Sequence, residues 1–142
     1  MEPKGRLRWA LIGLLALICL NAVVASYAFI SDPSGEGIGI PEEWLEDSPF
    51  DDYLVPGILL GGLGMLHGVA AAREWAGSRH AWLWAGFAAS GLLVWILVQA
   101  IMMGSFRHPI QTILQAACLA IGIATGLLAL LQLRRQSGMY LD

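Results

Sequence analysis

Four stretches of this chain, residues 9–30, 54–72, 81–103 and 110–133, contain no Asp, Glu, Lys or Arg. The hydrocarbon core of a bilayer accepts about 20 apolar residues of α-helix, so each stretch is long enough to cross it. A segment in lipid must satisfy its own backbone amides and carbonyls, which leaves helices and closed barrels as the spanning forms. Unbroken apolar runs of this length select the helix. Composition agrees: 57% of the residues are hydrophobic and 13% charged, against roughly 45–50% and 25% in a soluble domain. The expected fold is all-α, an up-down-up-down transmembrane four-helix bundle. Residues 1–142 form a single membrane domain with one substantial outer loop, 31–53.

Orientation follows from the basic residues. Lys4, Arg6, Arg8, Arg73, Arg79, Arg134 and Arg135 fall on one side of a four-span arrangement and Arg107 alone on the other. The positive-inside bias puts both termini in the cytoplasm. The carboxylates gather on the opposite side, in the loop between Asp32 and Asp52. The net charge of −3 therefore gives no hint of nucleic acid as a partner; the basic residues are topological anchors. A cleaved signal peptide is the rival for the N-terminus, with small residues at Ser26 and Ala28. The apolar run is longer than the usual 7–15 residues of such a segment, and an uncleaved first helix is expected.

Short connections at 73–80 and 104–108 force neighbouring spans to lie antiparallel. Trp9, Trp75, Trp82 and Trp84 fall near the inner boundary, as an interfacial aromatic belt does. No internal repeat is evident, which argues against an inverted-repeat transporter. In the outer loop, Ser31–Gly39 reads as irregular and Pro41–Asp47 as one or two helical turns. That turn can lay Trp44 and Leu45 on the bilayer surface or cap the bundle with them. Ser48 reads as the N-cap of the second helix, with Pro49 its first residue and Asp51 reaching back as in a capping box. Pro56 would then lie inside the helix and kink it.

The stretch Ser48-Pro49-Phe50-Asp51-Asp52-Tyr53-Leu54-Val55-Pro56-Gly57 resembles the "PF-x-DY-x-x-PG" signature of a family of small bacterial four-span membrane proteins. Pro41, Trp44 and Leu45 before it, and Trp95 and Gln99 in the third span, match the same pattern. The resemblance covers most of the chain. It implies a topology, and with it a bacterial inner membrane, but carries over no active site.

Within the spans, glycine is the most ordered feature. Gly57, Gly61, Gly64 and Gly68 share one face of the second span, and Cys118, Gly122, Gly126 and Ala129 make a similar strip on the fourth. Small faces let helices approach closely, which is how packing holds bundles in lipid; a dimer seam, or a gap that admits a lipid or ligand, is the functional alternative. Polar residues are sparse and concentrated in the outer half: Asn21, Gln99, Gln111 and Gln115, with Thr112 and Thr125, while His67 lies near mid-membrane. The outer cluster suits interhelical hydrogen bonds, or an outward-facing cavity bordered by Tyr53, Asp51 and Arg107. His67 is expected to be neutral and bonded across helices, because a haem wants a second histidine at matched depth and zinc wants three or four ligands. Cys19 and Cys118 lack the C-x-x-C spacing of a disulfide exchanger and read as small hydrophobes. The acidic loop lacks the spacing and glycine of a calcium loop and reads as a solvated face.

No catalytic residue, metal site or cofactor site emerges from these residues. The spans hold no carboxylate of the kind a small proton-coupled exporter needs. The first expectation is a non-enzymatic accessory, assembly or partner-binding module whose partners are the lipid bilayer and another membrane protein or a second copy. The alternative is a small oligomeric transporter or channel with an outward-facing polar cavity.

Overall fold

The computed structural model describes residues 3–46, 48–102 and 109–138. Four helices account for most of them: α1 (Pro3–Ser31), α2 (Leu54–Trp75), α3 (Ala81–Met102) and α4 (Pro109–Gly138). No strand occurs among the described residues. Each helix contains a segment long and apolar enough to span a membrane: Gly5–Ser31, Leu54–Trp75, Ala81–Ile101 and Thr112–Arg135. Large apolar side chains cover the outside, with Leu20, Met65, Phe87, Val94 and Ile101 all more than half exposed. An apolar exterior of this extent suits a lipid surrounding. The turn 104–108, with Arg107 and His108, and the residues Asp47 and Asp142 lie outside the described residues.

The buried interior is narrow. At one end Leu11, Leu15, Ala70, Ala85, Ala88 and Ala129 form a cluster, and Ile18, Leu92 and Ile96 continue it toward the other. Alanine at four of those six positions lets the backbones close up. Glycine does the same between α1 and α2. A Cβ built on Gly57 would stand 2.8 Å from Phe29 Cβ, on Gly61 2.6 Å from Ser26 Oγ, on Gly64 3.2 Å from the Val23 amide nitrogen, and on Gly68 3.1 Å from Cys19 Sγ. The face Gly57–Gly68 is therefore filled by α1 of the same molecule. On α4, Gly122 meets Leu92 and Leu93 and Gly126 meets Ala89, so that strip is filled by α3.

The connection between α1 and α2 is a folded cap containing two single 3-10 turns, Glu36–Ile38 and Glu42–Leu45. The first corrects the expectation of irregular chain there, and the second limits Pro41–Asp47 to one turn with Pro41 ahead of it. Helix α2 starts at Leu54 and not at Ser48. Ser48 Oγ accepts from the amide of Phe50, two residues on, which forms a local turn and no helix cap. The Tyr53 amide donates to Pro33 O at 2.9 Å, and Asp52 Oδ1 accepts from the Leu54 amide at 2.8 Å. With Leu54 as the first residue, Pro56 falls in the first turn, where its missing N–H has no intrahelical partner to lose. The reason for a kink disappears.

Helix α2 also runs further than its charge-free stretch, to Trp75, so the connection to α3 is shorter than 73–80. It closes with Gly77 in the left-handed region (φ 65°) and its amide on Glu74 O, a glycine stop. Glu74 is thereby drawn into the helical span and buried. That overturns the expectation that no span holds a carboxylate.

A capped cavity at the loop end

At the loop end residues of all four helices line a cavity of about 490 Å³. Its walls are mainly aliphatic and aromatic, among them Phe29, Leu60, Trp95 and Ile96, and the connection between α1 and α2 closes over it with Trp44, Leu45 and Tyr53. Leu45 and Tyr53 are almost completely buried.

The cap is ordered by bonds that its sequence makes locally. Asp32, just past the end of α1, accepts from the Ser34 hydroxyl at 2.6 Å and the Gly37 amide at 2.8 Å. Those donors hold its carboxyl below the usual carboxylate range, the Ser34 hydroxyl first. Gly35 sits at φ 70°, and a Cβ there would collide with Ile40 O and press on the Tyr53 ring, so only glycine fits. Tyr53 stacks on Phe29 with ring centroids 4.8 Å apart and an interplanar angle of 16°. Its hydroxyl donates to Pro41 O at 3.0 Å. Burial, and then the charge of Glu42, push its phenol up to about 12.

Three of the polar residues singled out in the sequence converge on this cavity. Asn21 comes from α1, Gln99 from α3 and Gln115 from α4. The Nε2 of Gln115 is buried with no hydrogen-bond partner. Cys118 also lines it, and both cysteines are free and half-buried. Asp51 is exposed and is not part of the lining. The side chain of Gln111 and the whole of Arg107 lie outside the described residues.

His67 does not join them. It is 1% exposed, and its Nδ1 lies 2.8 Å from Leu63 O, one turn back on its own helix. That corrects the expected bond across helices; Nε2 has no partner. Thr125 likewise bonds back to Ile121 O at 2.8 Å. Among the described residues, no three His, Cys, Asp or Glu side chains converge as metal ligands.

A second polar group, at the opposite end, escaped the sequence reading. Arg8 of α1 donates through Nε to Glu74 O at 2.8 Å and through its terminal nitrogen to Trp75 O. It thus takes two carbonyls from the end of α2. Glu74 is 1% exposed, and its Oε2 accepts from Gln132 Nε2 of α4 at 3.0 Å. Trp9 packs edge-on against Trp75 at 5.2 Å, and the Arg73 guanidinium lies 5.5 Å from the centre of the Trp84 ring. A lone Gln close to the end of one apolar run and a lone Glu just past the end of another were the available signal.

No family model matches the chain, and neither does any curated protein or solved structure.

Proposed function

We propose that this protein is a non-enzymatic, multi-pass module of a bacterial inner membrane, and that its loop-end cavity holds an apolar molecule bearing one acceptor oxygen, such as a fatty-ester chain. The up-down-up-down arrangement is supported by contacts at matching ends. Arg8 near the start of α1 touches the end of α2, Phe29 near the end of α1 touches the start of α2, and Gln132 near the end of α4 meets Glu74.

One observation carries the binding role: a partly open, mainly apolar space of about 490 Å³ lined in part by Gln115, whose buried amide donor has no partner. Ligand sites of this kind measure about 300–1,000 Å³ and combine apolar walls with a few placed polar groups. Leaving a buried donor unpaired costs about 1–3 kcal/mol, which an acceptor on the guest recovers. Asn21 and Gln99 supply further polar contacts at the rim.

The test is native mass spectrometry of the full chain extracted in mild detergent, compared with Ala25→Trp, which fills the cavity. The expected result is a retained adduct of lipid mass on the wild type that is lost in the variant. Gln115→Leu should weaken the adduct by about tenfold, the equivalent of one lost hydrogen bond of about 1.4 kcal/mol. A wild-type chain that carries no such adduct, or an adduct indifferent to Ala25→Trp, would overturn the reading.

A further inference from the structure

The Glu74–Gln132 contact joins α2 to α4 with one hydrogen bond, yet two oxygens beside that bond are orphaned. Glu74 Oε1 and Gln132 Oε1 are both buried and neither has a partner. Two acceptors cannot satisfy one another. A carboxyl and a carboxamide do pair completely when the carboxyl carries its proton: the amide N–H donates to one acid oxygen, and the acid O–H donates back to the amide oxygen. Gln132 Nε2 and Glu74 Oε2 already form the first half of that ring, at 3.0 Å.

We propose that Glu74 is a proton-binding site, its proton held on Oε1 and donated to Gln132 Oε1. One proton satisfies both orphaned oxygens at once. The reaction is a plain protonation: the carboxylate takes a proton from hydronium at the membrane surface and water leaves.

The groups around the site come from all four helices. From α1, Arg8 faces Glu74, but its guanidinium is engaged by the backbone carbonyls of Glu74 and Trp75. Arg73 on α2 lies over the Trp84 ring of α3. Gln132, from α4, is uncharged, and Ala81 and Ala85 are the buried residues at that level of α3.

A hydrophobic carbodiimide tests this, because it modifies protonated carboxyls in lipid and spares ionised ones in water. The full chain in liposomes is treated across a pH series, and Glu74 labelling is read by peptide mass. The expected outcome is Glu74 labelled at neutral pH, with the labelled fraction falling about tenfold per pH unit once the group has ionised. The infrared carbonyl band of a protonated acid should fall over the same pH range and be missing in Glu74→Gln, an isosteric change that keeps the ring partner. No labelling of wild-type Glu74 at neutral pH, or labelling unchanged from neutral to strongly alkaline pH, overturns the proposal. Because the labelling readout uses the unmutated protein, a variant that fails to fold leaves the decision intact.

Discussion

Tyr53 holds the loop end of the molecule by three separate contacts: its amide on Pro33 O, its hydroxyl on Pro41 O and its ring on Phe29. Tyr53→Phe keeps the stack and the amide bond and removes only the hydroxyl. The expected loss is about 1 kcal/mol, one net hydrogen bond, read as a lowered unfolding midpoint in detergent. The pH dependence has a definite sign. An unfolded tyrosine ionises near 10 and this phenol is pushed up to about 12. The contribution of the neutral hydroxyl is therefore complete below pH 10 and is lost as pH rises through 12. In an alkaline titration, a tyrosinate absorbance step near pH 12 should disappear in Tyr53→Phe; a spectrum unaltered there would place the hydroxyl in solvent. Asp32 has the opposite sign. Its lowered carboxyl supports the cap above the ordinary carboxylate range, and that support is lost as pH falls through its folded value.

At the level of helices, glycine has different consequences on α2 and α4. Gly64 abuts the Cβ of Ala22 and the backbone amide of Val23, neither of which can turn aside. Gly122 abuts the ends of the Leu92 and Leu93 side chains, which can. Gly64→Leu should therefore separate α1 from α2 at a cost of about 1–3 kcal/mol or more, while Gly122→Leu costs less. Gly62 has nothing within 4 Å of a built Cβ, so Gly62→Ala should be neutral or gain up to about 1 kcal/mol from helix propensity. Thermal unfolding in one detergent orders the three. A Gly62→Ala loss equal to that of Gly64→Leu would mean that helix propensity, and not the seam, sets the response. The spacing of the α2 glycines was legible in the sequence because it is a periodicity, but its partner helix was not, since no pattern in one helix names the neighbour. The start of α2 was misread for a related reason. Ser48-Pro49 has good capping chemistry, but tertiary bonds from Pro33 to Tyr53 hold the chain out of the helix there.

For the whole molecule, four membrane-spanning lengths could be read from charge-free runs, because lipid penalises every charge on its own account. The same reasoning concealed Glu74. A charge-free run stops at the first charge it meets, whereas the helix continues until its backbone is capped, here at Gly77. The cavity was only half legible: Asn21, Gln99 and Gln115 all fall in the outer half of their spans, but the cap over them depends on Gly35, Tyr53 and Pro41 meeting in space. Cavity and acid lie at opposite ends of the bundle, and the side each faces determines what it can meet. The basic residues predict the cavity outside and Glu74 facing the cytoplasm. With Cys19 and Cys118 replaced by alanine, single cysteines at the exposed positions Glu43→Cys and Ala76→Cys make this a direct measurement. A membrane-impermeant maleimide should label Glu43→Cys on intact cells and Ala76→Cys only after lysis. The reverse pattern would invert the molecule, giving the cavity access to cytoplasmic lipids and exposing Glu74 to the external pH. Labelling of both from outside would mean that the two ends share one side of the membrane, which a four-span bundle with contacts between Arg8 and the end of α2 cannot accommodate.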